Sequence, residues 1–173
     1  EIGVRLVGSE MCIRDSTITG QDVNNDTYRL DEHIFKVSYP TSVGVGLVNG
    51  LIYFEHSDFL RWHPYIGGGI GASLISIKNA NSTQLDPFEE GINHYNSDAS
   101  DSVTAFATQA KVGLGFDWTE HVGLFVEYRY LYLGSADFIF GSTVYPTHVP
   151  TNNWTVKLGS QSYNSAVGGI RLT

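Results

Sequence analysis

Between Ala105 and Phe140 the chain alternates apolar with polar or small residues, in two runs that meet at Thr119-Glu120-His121. In the first run Phe106, Thr108, Ala110, Val112, Leu114, Phe116 and Trp118 fall on one side; Ala105, Ala107, Gln109, Lys111, Gly113, Gly115 and Asp117 fall on the other. In the second, Val122, Leu124, Val126, Tyr128, Tyr130 and Tyr132 oppose Gly123, Phe125, Glu127, Arg129 and Leu131. Neighbouring side chains of a strand point to opposite faces, so a period of two predicts an antiparallel hairpin with one apolar face. Bulky apolar groups on one face, with charges and glycines on the other, suit a strand that faces lipid outward and a narrow lumen inward.

The same pattern predicts further strands on either side. Over 64–78, Ile66, Ile70, Ala72 and Leu74 oppose Tyr65, Gly67, Gly69, Gly71 and Ser73. Over 43–55, Val48, Ile52 and Phe54 oppose Asn49, Tyr53 and Glu55, while the first half of that run alternates less clearly. Over 160–173, Ala166, Gly168, Ile170 and Leu172 oppose Ser165, Val167, Gly169 and Arg171. Residues 28–39 read either as a further strand or as the arm of a loop, because Pro40 interrupts them. Polar stretches at 79–102 and 141–159 separate pairs of strands that are themselves joined by short links. Long loops alternating with short turns are the rhythm of an up-and-down outer-membrane barrel.

Composition agrees with a crowded β wall. Charged residues make up 16% of the chain, against about 25% in typical soluble domains, and there are 19 Gly and 10 Tyr. The net charge of −8 argues against nucleic acid as a partner, since phosphate binding needs a basic footprint. No apolar run reaches the roughly 18 residues that a membrane-spanning helix needs, whereas a barrel strand needs only about 9–11. Residues 7–16 (Val-Gly-Ser-Glu-Met-Cys-Ile-Arg-Asp-Ser) hold the only Met and the only Cys and show no clean period. They resemble a translated sequencing-adapter stretch, and are expected to be non-native, with Cys12 carrying no redox information. The chain begins at Glu1 without a Met or a visible leader, so it is expected to be processed or incomplete.

The phrases HPYIGGGIGAS, KVGLGFDWTEHVGLFVEYRYLYLGSADF and YNSAVGGIRLT, in this order, resemble the second half of the opacity/surface-antigen group of small outer-membrane barrels, relatives of the OmpA transmembrane barrel. The resemblance spans about residues 43–173. It implies an all-β, antiparallel up-and-down transmembrane barrel closed by eight strands, of which about five are plain here. The remaining N-terminal strands are then missing or scrambled. Members of the group end on an aromatic residue, whereas this chain ends at Thr173. The resemblance also implies a bacterial outer-membrane location and a surface-antigen, adhesive or envelope-structural role.

On the face assigned inward, Glu55, Gln109, Lys111, Glu127, Arg129 and Arg171 form a candidate lumen network. Arg129 turned toward lipid at mid-depth would cost about 2–4 kcal/mol, which sets the assignment. In so narrow a barrel these groups are expected to fill the lumen rather than line a conducting path. The face assigned to lipid comprises Ile66, Ile70, Leu74, Val112, Leu114, Phe116, Trp118, Leu124, Val126, Tyr128, Tyr130, Ile170 and Leu172. Its tyrosines, Tyr132 among them, and Trp118 are candidates for interface girdles.

Other motifs carry less. Gly67-Gly68-Gly69-Ile70-Gly71-Ala72 fits a dinucleotide fingerprint but is followed by β-rich residues instead of a helix, so the glycines are read as relieving crowding in the wall. His33, His56, His63, His94, His121 and His148 lack metal-ligand spacing, and neither a metal nor any other cofactor is expected. A rim Ser–His pair built on His148 would make the protein a lipid-modifying enzyme, but nothing in the sequence fixes such a pair. Sequons at Asn25, Asn81 and Asn153 read as polar loop residues. The expected protein is therefore a non-enzymatic barrel. Its partners are outer-membrane lipid and, through loops 79–102 and 141–159, host or environmental surfaces. A soluble lipocalin-like ligand-binding barrel is the alternative, with Val112, Leu114 and Phe116 lining a cavity and Lys111 and Glu127 in water.

Overall fold

The computed structural model describes residues 2–19, 34–54, 61–119, 121–146 and 150–172; of 2–19 and of 171–172 only the backbone is described. Glu55, His33, His56, His148 and Asn25 lie outside the described residues, as does the part of the 28–39 arm before Ile34. The described residues are all β, with an antiparallel sheet curled into a half-barrel. The strands are β1 (Ile2–Thr19), β2 (Ile34–Tyr53), β3 (Trp62–Ile77), β4 (Asn81–Asp86), β5 (Asp101–Asp117), β6 (Val122–Leu133), β7 (Ala136–Phe140), β8 (Trp154–Leu158) and β9 (Gln161–Leu172).

Six of them form a meander in the order β1-β2-β3-β5-β6-β9, each antiparallel to its neighbour. The 7–16 stretch falls within β1, which pairs with β2 and shifts register between Val7 and Glu10. Among the described residues no ladder joins β9 to β1. β2 begins at Ile34, ahead of the 43–55 run predicted from alternation, and continues through Pro40. Pro40 is tolerated because it sits at a jog. There β3 ends opposite Thr41, Asn79 takes a φ of 55°, and β4 continues along the same edge of β2, pairing 34–38. The Pro40 carbonyl accepts from the Lys78 N–H at 3.2 Å, which holds the jog closed.

A second jog corrects the sequence reading. The alternation of 122–140 predicted one strand, but it breaks at Gly134-Ser135 into β6 and β7. The break shifts the phase by one residue. Inward residues are odd-numbered on β6 (Glu127, Arg129, Leu133) and even-numbered on β7 (Ala136, Phe138, Phe140). β7 pairs with β8 as a separate two-stranded ribbon.

The segments 79–102 and 141–159, expected to be open loops, are instead a folded cap. Phe35 and Val37 of β2, Ile75 and Ile77 of β3, and Phe138 and Phe140 of β7 close on Tyr95 and Trp154 as one apolar core. Tyr39 stacks on Phe140 at 6.0 Å, and its hydroxyl and that of Tyr95 share a hydrogen bond of 2.7 Å. A smaller cluster of Val45, Leu47, Ala107 and Leu133 lies deeper in the curl.

Candidate functional site: the concave wall and its cap

Cross-strand register explains how the concave wall is built. Tyr53, Tyr65, Gly113 and Glu127 lie in one transverse row across β2, β3, β5 and β6. The hydroxyl end of the Tyr65 ring lies over Gly113, where an added Cβ would fall 2.2 Å from Cζ. Crossing that gap, the Tyr65 hydroxyl donates to Glu127 Oε2 at 2.9 Å. The other Glu127 oxygen accepts from Arg129 Nε. Glu127 and Arg129 are 6% and 8% exposed, so the pair is buried, and the three groups satisfy one another. Beyond the Leu51-Gly67-Lys111-Arg129 row, Asn49 leans over Gly69, which stands opposite Gln109, and both carboxamides are buried. Lys111 stands directly opposite Arg129, on the same face and half-buried.

Of the six residues predicted for the lumen network, the structure thus brings Gln109, Lys111, Glu127 and Arg129 to the concave side. Glu55 lies outside the described residues, and of Arg171 only the backbone is placed, opposite Gly123. An open cavity of about 520 Å³ lies over the pair, toward the turn end, between Tyr53, Tyr65, Phe125 and Val167. At that end His63 Nε2 is 2.6 Å from Asp117 Oδ2.

The convex side carries the predicted apolar set. Ile66, Ile70, Leu74, Val112, Trp118, Leu124, Val126, Tyr128, Tyr130 and Ile170 are exposed there, Ile70 and Val126 at 65% and 56%. Leu114 and Phe116 share the face but are half-covered, Phe116 by the Trp62 ring at 4.7 Å. The Leu172 side chain is not described. Val112 is 52% exposed and Glu127 6%.

Beyond the jogs the outward side exchanges polarity, while the inward side stays apolar as far as Val45, Leu47, Ala107 and Leu133. On β2 the inward residues are apolar at Phe35 and Val37 while Lys36 is exposed; farther along the same strand Asn49 is buried while Val48 and Ile52 are exposed. On β5, Ser102 and Thr104 face outward where Phe106 and Val112 do so farther on. β7 buries Phe138 and Phe140 and exposes Asp137, although Ile139 also faces out. The crossover falls near Ser42, Ser76, Thr104 and Ser135.

The cap contains a polar cluster that sequence reading missed. His94 is buried, with its Nε2 3.6 Å from Glu89 Oε2, and the Tyr145 hydroxyl donates to the same Glu89 oxygen at 3.3 Å. The Thr143 hydroxyl donates to the His94 carbonyl at 2.7 Å and accepts from the Trp154 indole N–H at 3.1 Å. Burial, then the neighbouring Tyr39 hydroxyl, pushes the Tyr95 phenol up; burial, then the Glu89 carboxylate, does the same to Tyr145. Tyr65 was the one missed partner with a legible signal, being an aromatic on the polar, glycine-rich side of its strand. Among the described residues no cluster of His, Cys, Asp and Glu could hold a metal ion. Comparison of the chain with protein-family models, with curated proteins and with solved structures finds no match.

Proposed function

We propose that this chain is a non-enzymatic bacterial outer-membrane β-barrel protein, with its convex face against lipid and its acidic cap outside the cell. The observation that carries the reading is the exchange of polarity along single strands. A chain surrounded by water alone buries apolar groups inward along its whole length. A strand that leaves lipid for water inverts its outward face at the boundary, as β2 and β5 do. The outward apolar stretch of β5, from Phe106 to Phe116, is eleven residues long, and a tilted barrel strand spans a bilayer in about 9–11. Trp62, Phe116 and Trp118 near one limit, and Tyr130 and Tyr132 nearer the other, suit interface girdles.

In this reading the Tyr65–Glu127–Arg129 network fills the lumen, and the apolar core under the cap seals its outer end. The work falls to the wall as an anchor and to the cap as a surface element: an antigen, an adhesive contact or an envelope-structural part. The described residues of 79–102 and 141–159 meet host or environmental surfaces as one packed unit, because backbone hydrogen bonds tie Ser97 to Ser142 and Gly141 to Asp98. The resemblance to opacity-type barrels supports the same assignment. The test is electrophoretic. The protein folded in detergent should migrate differently before and after boiling, and expressed protein should be recovered in outer-membrane fractions. A water-soluble product with no mobility shift would overturn the reading.

A further inference from the structure

Lipid against the convex wall leaves the exposed apolar groups of the cap unexplained. Phe88 is 72% exposed, the highest value of any large apolar side chain among the described residues, and Leu85 and Val144 of the same cap are exposed as well. All three lie past the polarity crossover, where a large apolar side chain in water marks a contact surface.

The backbone that carries Phe88 is held on both of its limbs. Gln84, itself 3% exposed, donates through Nε2 to the Pro87 carbonyl at 2.7 Å. Asn93 Oδ1 accepts from the Ser82 and Tyr95 N–H groups, each at 3.0 Å, and its Nδ2 donates to the Ala80 carbonyl at 2.9 Å. From the 141–146 segment, the Tyr145 hydroxyl holds Glu89. An exposed aromatic on a backbone fixed in advance loses little conformational freedom on binding, and so suits the role of an interface anchor.

Charge selects what covers this anchor. Asp86, Glu89 and Glu90 lie within two residues of Phe88, and the stretch 79–110 adds Asp98 and Asp101 but contains no Lys or Arg. Asp86 and Glu90 are exposed beside the aromatic. A second copy would bring the same carboxylates to the contact, and a surface of phosphate headgroups would bring further negative charge; both are repelled. A polypeptide whose apolar side chains are flanked by Lys or Arg meets both features, its apolar body receiving Phe88 and its cations facing Asp86 and Glu90.

We propose that the 85–90 turn is a docking site for such a cationic, apolar-bearing polypeptide. The inference gives the cap's surface role a partner chemistry, and it rests on the reading that the cap faces the exterior.

The test uses the full chain folded in a non-ionic detergent and three fluorescein-labelled peptides of equal length, alternating Lys with Leu, Lys with Ser, and Glu with Leu. Fluorescence anisotropy is read against protein-free micelles. The Lys/Leu peptide should bind above that blank, and the other two at least about fivefold more weakly. Phe88→Ser and the double variant Asp86→Asn/Glu90→Gln should each weaken Lys/Leu binding at least about fivefold. Asp137→Asn, which removes a carboxylate from the outward face of β7, should leave it unchanged. Binding should also weaken between about 0.1 and about 1 M salt, as the screening length falls from about 10 to about 3 Å.

Equal binding of the Lys/Leu and Lys/Ser peptides, or of Phe88→Ser and the wild type, overturns the docking site. So does self-association, or adsorption to phosphatidylglycerol vesicles, that depends on Phe88 in a protein that ignores the peptides. Heat-modifiable mobility of the same samples separates the two readings. A shift without peptide binding removes the docking site and leaves the barrel; binding without a shift removes the barrel and leaves the chemistry of the turn.

Discussion

Gly113→Ala adds a single methyl group, and the cross-strand register gives it an outsized effect. The new Cβ would fall 2.2 Å from the Tyr65 Cζ and 2.4 Å from its hydroxyl oxygen, so the end of the Tyr65 side chain must shift. Tyr65 must leave the row, and its hydrogen bond to Glu127 goes with it. A bond to a buried charged group is worth about 1.5–3 kcal/mol. The tilted contact of Tyr65 with Tyr53, at 5.3 Å, contributes a further ~0.5–1.5 kcal/mol. Alanine returns about 0.5–1 kcal/mol through its lower backbone entropy cost. The net expectation is a loss of about 1–4 kcal/mol. Gly68→Ala is the matched control, on the same sheet but the opposite face, where a Cβ meets only the Gln109 carbonyl at 3.6 Å. Urea unfolding of the detergent-folded protein, followed by tryptophan fluorescence, measures both. If Gly113→Ala lies within about 0.5 kcal/mol of Gly68→Ala, Tyr65 does not span the strand and the network is wrongly drawn. Tyr65→Ala should remove most of the Gly113→Ala penalty in a double-mutant cycle.

Leu114→Arg or Val126→Arg should block membrane assembly at a cost of about 2–4 kcal/mol, whereas Thr104→Lys, outward but beyond the crossover, should assemble normally; equal recovery of all three in outer-membrane fractions would falsify the assigned boundary. Glu127→Gln leaves Arg129 buried without its carboxylate and should cost about 3–5 kcal/mol, while replacing both by apolar residues of similar size should cost less in the same unfolding assay. Phe35→Ala empties the centre of the cap core and should cost about 3–5 kcal/mol, read as faster proteolysis within 79–102 while heat-modifiable mobility persists. Tyr95 and Tyr145 have phenols raised in the folded cap, so their contribution is whole below the ordinary value of 10.0. It is lost as pH climbs past that value toward the folded ones, because the unfolded chain ionises first. Cap protection from proteolysis should therefore fall above about pH 10, and Tyr95→Phe should reduce that fall.

Strand positions and the two faces of the wall were legible in the sequence wherever the chain alternates without interruption, because a period of two assigns each side chain to a face by its position alone. Lys111, Glu127 and Arg129 on one side, and Val112, Val126 and Ile70 on the other, needed no knowledge of neighbouring strands. The cap was invisible for the opposite reason. Its core draws Phe35, Ile75, Tyr95, Phe140 and Trp154 from five separate segments, and no single segment's pattern says that the five converge. The phase shift at Gly134-Ser135 also turns Phe138 and Phe140 away from the side that continued alternation assigns them. Gly113 was readable as a small residue on the inward face, but not as the gap over which Tyr65 reaches Glu127, since that depends on which residues stand opposite on three strands. Local pattern decides which way a side chain points; what it meets there depends on register and on chain closure over long separations, which only the assembled sheet supplies.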